Sequence, residues 1–200
     1  MWLTLVPVVV VALARPGAVE DVVAAKQEVR AARLAAAVQQ TAPRYLTPAR
    51  ALEHARAAVA AELPDVPAEL LLGMAYVESR YTVDSVSRVQ GSKRVTGKVG
   101  TKVVGRGPYF CGVVQTAAKH SWARCLAMRD VRLGYQLGAE ELQQWRRACT
   151  RKRVRDVETC MLNGHGGGWP AVERATSTYP RRVKAREARI RRIVARLDNS

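Results

Sequence analysis

Aromatic residues are scarce in this chain: Phe110 is the only phenylalanine among 200 residues, and aromatics make up 6% of the total. Ala, Arg, Leu and Val are plentiful, and the apolar positions recur at helical rather than alternating spacing, which argues against a β sandwich and for a mainly α fold. Acids are short as well. Against 33 Lys and Arg stand 17 Asp and Glu, a formal charge of +16, so an anionic partner is expected: nucleic acid, a membrane surface or an acidic wall polymer. No zinc-finger or RNA-binding signature accompanies the charge, which disfavours nucleic acid. Internal repeats are absent, and the length suits one domain with its own core.

The chain also lacks a long apolar run. Met1 to Ala14 (MWLTLVPVVVVALA) is too short to span a bilayer comfortably. It ends in Ala12-Leu13-Ala14, the small-x-small pattern of a signal-peptide cleavage site, so export is expected. No Lys or Arg precedes the run and Pro7 interrupts it, which leaves an uncleaved anchor or a phage-type export signal as alternatives. The four cysteines, Cys111, Cys125, Cys149 and Cys160, suit an oxidising compartment. Three pairings are open to them; proximity in sequence favours Cys111 with Cys125 and Cys149 with Cys160. No pair has Cys-x-x-Cys spacing, so no structural metal is expected.

Breaks and caps divide the rest. Ala18 to Gln40 reads as a helix ending at Thr41-Ala42-Pro43, either a spacer or a helix laid on the domain. Further helices are expected from Pro48 to Glu62, stopped by Pro64, and from Pro67 to Ser79, where Pro67 suits the first turn. Tyr81 to Pro108 is rich in Val and Gly, and Arg94 to Val104 reads as a β-hairpin or a flap. Helical spacing returns at Gly112 to Lys119, Leu126 to Ala148 and Val154 to Leu162. The cluster Asn163-Gly164-His165-Gly166-Gly167-Gly168 is expected to interrupt it as a loop. A last helix follows Tyr179 and Pro180; Arg181 to Arg196 holds eight basic residues and one acid, Glu187, with an apolar stripe of Val183, Ile190, Val194 and Leu197.

The chemistry centres on one acid. Leu71, Met74, Ala75 and Glu78 fall at i, i+3, i+4 and i+7, which puts a carboxyl group on the inward face of a helix. Desolvation disfavours a carboxylate, so such a group is expected to stay protonated and to serve as a general acid. The plain alternative is a helix-end Glu paired with Arg80 or another arginine. Asp84 is a poor second carboxylate: at the start of a loop segment it reads as a capping or solvated residue.

Glu78-Ser79-Arg80-Tyr81 resembles the Glu-Ser-x-aromatic signature of the soluble lytic transglycosylase catalytic domain, a family related in fold to goose-type lysozyme. Gly112-Val113-Val114-Gln115 resembles the family's Gly-Leu-Met-Gln segment. Met161-Leu162-Asn163-Gly164 resembles its Ala-Tyr-Asn-x-Gly segment, with Leu162 in place of the Tyr, and Thr178-Tyr179 resembles the later Tyr that faces the acid. The matches span roughly Pro67 to Val183, and the stretch between Ser79 and Gly112 is longer than the family's. The resemblance implies a mainly α, lysozyme-like domain over 48–200 with a small β-hairpin or flap insertion and a basic C-terminal helix, preceded by an export signal or short anchor (1–14) and a helical spacer (15–47). It implies a catalytic Glu78 with Ser79 beside it, Val114 lining a glycan groove, and Gln115, Asn163 and Tyr179 binding or positioning substrate. No cofactor is implied. The activity implied is cleavage of the β-1,4 bond between N-acetylmuramic acid and N-acetylglucosamine in peptidoglycan, in the periplasm or outside the cell, with the substrate's acetamido group assisting. Attack by the muramic C6 hydroxyl gives a 1,6-anhydro product; attack by water makes a muramidase.

Rival readings remain. A Cys111 nucleophile with His120 or His165 would make an amidase or peptidase site; the simpler view has His165 in a loop near the groove and Cys111 oxidised. His54 is expected at the surface. Trp122, Trp145 and Trp169 are expected in the core, with Trp169 the best candidate for stacking on sugar. The basic C-terminal helix suits an anionic wall or outer-membrane surface, and a non-enzymatic protein binding nucleic acid or membrane through it is the rival class.

Overall fold

A computed structural model of the chain describes residues 18–90, 93–98, 106–119, 121–174 and 178–199. The expected export segment 1–14, His120 and residues 99–104 of the expected hairpin or flap lie outside the described residues. The fold is mainly α with a small β insertion. Its helices among the described residues are α1 (Ala18–Thr41), α2 (Pro48–Ala60), α3 (Ala68–Ser79), α4 (Trp122–Ala127), α5 (Val131–Arg151), α6 (Val157–Arg174) and α7 (Tyr179–Asp198). Between α3 and α4 lie β1 (Ser85–Gln90), β2 (Lys93–Lys98), β3 (Arg106–Cys111) and β4 (Thr116–Ala117), an antiparallel sheet in the order β2-β1-β3-β4.

Helix α3 is the axle. Ala68 to Ala75 are all buried, an all-round burial that only a helix surrounded by others can afford. Its N-terminus carries no side-chain cap of its own. Glu62 supplies one from outside, accepting the Ala68 N–H at 2.8 Å, while Arg30 of α1 pairs with both Glu62 and Glu69. Helix α2 starts as its sequence prescribes, with Pro48 in the first turn and Thr47 Oγ1 accepting the Arg50 N–H,. Small residues let α1 and α2 approach closely: Ala31, Ala35, Ala51, Ala55 and Ala58 are buried, with Leu34 and Val38. The second half of α1 thus lies on the domain, whereas Val19, Val22, Val23 and Val29 in its first half are exposed. Helix α7 closes the far side of α3 with Val183, Ile190 and Ile193; Arg181, Arg182, Arg189, Arg191, Arg192 and Arg196 face outward, whereas Arg186 folds over the Tyr76 ring and donates to Thr41 O at 3.0 Å.

Three expected elements take a different form. The helix expected over Leu126 to Ala148 is two helices, because the Asp130 carboxylate accepts the Leu133 N–H at 2.8 Å and caps a new start,. Gly112 to Lys119 is not helical: it is a turn leading into β4, with Gly112, Gln115 and Lys119 in the left-handed region (φ 76°, 52° and 51°). The glycine cluster does not interrupt the helix at Asn163. Helix α6 runs through it and breaks only at Gly168 (φ 67°, ψ −167°). Its glycines are there for contact: a Cβ on Gly164 would run into the Trp145 indole, and one on Gly166 would come within 3.1 Å of the Tyr179 ring.

The cysteines pair as Cys111–Cys125 and Cys149–Cys160, joining β3 to α4 and α5 to α6. A second, smaller core lies at the sheet, formed by Val86, Tyr109, Cys111, Ala118, Cys125 and Met128. Among the described residues no helix is long and apolar enough to cross a membrane.

Candidate functional site

Glu78 stands in the last turn of α3 with its side chain 10% exposed. The helix stops two residues later in an uncommon way: Arg80 and Tyr81 both adopt positive φ (55° and 63°), with the Arg80 N–H returned to Tyr76 O and the Tyr81 N–H to Ala75 O. Two successive left-handed residues that are not glycine are a strained ending. Tyr81 repays the strain by packing its buried ring against His54 and Tyr76. Ser79 then ties this helix end to the sheet side. Its Oγ lies 2.6 Å from Val113 O and 3.1 Å from Ala75 O, either of which can take its proton, and it accepts the Thr82 N–H at 3.1 Å.

The turn that Ser79 holds is itself clamped. The Gln115 side chain donates to Ser85 O (2.9 Å) and Gly112 O (3.0 Å), and accepts from Ser87 Oγ (2.8 Å). Its amide is committed to folding the 112–115 turn, and the residue is 4% exposed, so it stands as a structural clamp rather than a group free to bind substrate. Val114 likewise does not line a groove with its side chain, which is fully buried and pressed against Gly138. Its contribution is its carbonyl, which accepts from His165 Nε2 at 3.0 Å.

His165 is the centre that connects these pieces, and it is neither a loop residue nor exposed. It sits within α6, 5% exposed. Its Nε2 lies 3.8 Å from Glu78 Oε1 and its Nδ1 3.5 Å from Glu141 Oε1. The Tyr179 ring stacks over it at 6.2 Å. Burial alone would push the His165 imidazolium towards deprotonation, but Glu141, then Glu78 and the Val114 carbonyl, outweigh it and hold the group above the ordinary histidine value,. Glu141 shows the matching behaviour. Burial favours its neutral form, yet His165, the Ala117 N–H and the Trp145 side chain hold its carboxyl below the usual range.

Glu141 opens onto a cleft of about 550 Å³ between β4 and α5, lined also by Thr116, Lys119, Trp145 and Trp169. Trp145 and Trp169 meet edge to face at 5.5 Å, both partly exposed on the cleft wall. Trp122 instead packs on Tyr109. Asn163, 4% exposed, has no hydrogen-bond partner for Oδ1 among the described residues.

The fold therefore brings Glu78, Val114 and Tyr179 to His165, ties Ser79 to the adjoining Val113, and uses Gln115 to support the turn from behind. Glu141 is the participant the sequence reading does not name; His165 is expected near the groove, but in a loop and not within a helix. Glu141 lies on the same face of α5 as Gly138 and Trp145, an acid on an inward stripe, and that spacing is the signal that could have found it. His165 was hidden by its glycines. Glu78 and Glu141 approach opposite ring nitrogens and do not converge with His165 on one point; among the described residues no His, Cys, Asp or Glu cluster is built to hold a metal. Cys111 is bonded to Cys125 and is no nucleophile. His54 is a core residue, fully buried, its Nδ1 3.1 Å from Tyr135 Oη.

No protein-family model, curated protein or solved structure matches the chain.

Proposed function

We propose that the protein cleaves the glycan strand of peptidoglycan as a lytic transglycosylase, with Glu78 as its acid and base. One observation carries this reading: segments that resemble the family's separate motifs, far apart in sequence, pack together at the end of α3, with His165 between them and 3.8 Å from Glu78. Ser79 is bonded to Val113, His165 of α6 to Val114, and the Tyr179 ring lies on His165.

Glu78 gives its proton to the glycosidic oxygen, and the C–O bond breaks with its electron pair passing to that oxygen. The acetamido oxygen of the muramic residue shares the positive charge left at the anomeric carbon, in place of a second carboxylate. The Glu78 carboxylate then takes the proton of the C6 hydroxyl as that oxygen closes on the anomeric carbon, giving the 1,6-anhydro ring. The partly exposed Trp145 and Trp169 offer apolar faces to sugar rings. Outward-facing Arg182, Arg189, Arg192 and Arg196 of α7 suit an anionic wall or outer-membrane surface. Two disulfides fit an oxidising compartment,, and export to the periplasm or beyond belongs to this proposal.

The test is release of dye from labelled sacculi by the full chain. Glu78→Gln keeps the shape of the side chain and removes its acid, so release should fall by roughly 100-fold or more, with an unchanged circular dichroism spectrum. Release at the wild-type rate would refute the assignment.

A further inference from the structure

His165 is buried, polar and unused by the steps above. Four elements pack against it, and each presents it with one group: Glu78 from α3, the Val114 carbonyl from the 112–115 turn, Glu141 from α5 and the Tyr179 ring from α7. The carbonyl at Nε2 can only accept, so that nitrogen carries a hydrogen. The group nearest Nδ1 is the Glu141 carboxylate, 3.5 Å away; it is not aligned for a hydrogen bond, but its charge favours a protonated ring over a bare nitrogen. Both nitrogens therefore face acceptors, an environment made for the doubly protonated ring. The direction in which burial and charge move His165 and Glu141 agrees with that geometry.

We propose that His165 is a positioning residue, an imidazolium paired with Glu141 whose charge, 3.8 Å away, orients the Glu78 carboxyl group and stabilises the carboxylate it becomes on giving up its proton. The proposal rests on the reading of Glu78 as the acid. Glu141 has a distinct part in it. It keeps the buried ring charged, and the Glu141–His165 pair, neutral overall, presents its positive end to Glu78,. When the proton leaves for the glycosidic oxygen, the new charge on Glu78 appears 3.8 Å from Nε2. His165 keeps both of its protons throughout, and Glu78 alone donates and recovers one. This arrangement supplies a protein cation where the chemistry has only one carboxylate to work with.

Side-chain NMR titration of the full chain, labelled at His, reads the state of the ring without substrate. His165 should titrate above the ordinary histidine value of about 6.5 in the wild type and below it in Glu141→Gln. On sacculi, the alkaline limb of the rate profile should move up by roughly half a pH unit or more in both His165→Gln and Glu141→Gln, with kcat lowered about tenfold and KM little changed. A His165 that is neutral at pH 6 in the wild type overturns the proposal. So does a rate profile on sacculi whose alkaline limb stays in place in both variants, the result a purely structural histidine would give. A wild type that leaves sacculi intact while His165 titrates as stated in both proteins refutes the peptidoglycan reading and leaves the Glu141–His165 pair established.

Discussion

His54 shows how much a single side chain can decide. It is fully buried beneath Tyr81 and Tyr135, and burial, with Arg50 as the lesser cause, pushes its pKa down to about 4. The unfolded chain binds that proton near pH 6.5, so between pH 6.5 and 4 the unfolded state holds more protons than the folded one. Stability from this group is complete above 6.5 and is lost as pH falls, by about 1.4 kcal/mol per pH unit and about 3 kcal/mol in all. His165 has the opposite sign: its raised value stabilises the fold below pH 6.5, and that contribution is lost as pH climbs through its folded value,. Urea unfolding at pH 7 and pH 4.5 should therefore show a smaller difference for His54→Gln than for the wild type. Equal differences would mean that His54 is not neutral in the fold. A surface position for His54 was the natural expectation from a charged, Ala-rich helix. What the helical period alone does not reveal is that Tyr135, far along the chain, supplies a partner for its Nδ1.

At the level of elements, the legible parts were those with local punctuation. Pro48 and Pro67 mark the starts of α2 and α3, and Pro64 the stop between them; Pro180 opens α7, whose apolar stripe needed only Ile193 added. Glu78 was legible for the same reason, as a carboxyl group in register with Leu71, Met74 and Ala75. The illegible parts are held by partners remote in sequence. Val113 and Val114 have helix-like spacing, but Gln115 clamps the turn to Ser85 and Ser87, and Gly112 passes so close to Met128 that a Cβ would lie 2.6 Å from its carbonyl. The glycines of α6 read as a break because glycine is a poor helix former. Their use is to admit Trp145 and Tyr179 against the helix. Gly164→Ala should accordingly destabilise the protein by about 1–3 kcal/mol through overpacking, although alanine raises helix propensity at an ordinary site. A thermal midpoint that rises in this variant would show that the helix does not pass against Trp145.

For the molecule as a whole, the two disulfides brace different halves of the site. Cys149–Cys160 closes a separation of 11 residues between α5, which carries Glu141, and α6, which carries His165; Cys111–Cys125 closes 14 beside the 112–115 turn. Loops of this size are worth about 3 kcal/mol each. Replacing either pair by alanine should lower the denaturant midpoint by a corresponding amount, and unchanged midpoints would show that the bridges carry no load. The positive charge is spread over the exterior and concentrated on the outer face of α7, while the acids that matter, Glu78 and Glu141, are turned inward around His165. On the proposed account, the basic surface would hold an acidic polymer and the inward carboxyl group would cut it. The most direct test of that account is mass spectrometry of the muropeptides released from purified sacculi by the wild type and by Glu78→Gln. The account predicts 1,6-anhydro muropeptides from the wild type and none from the variant. Reducing-end products would contradict the transglycosylase outcome, and release that persists in Glu78→Gln would contradict the role of Glu78 itself.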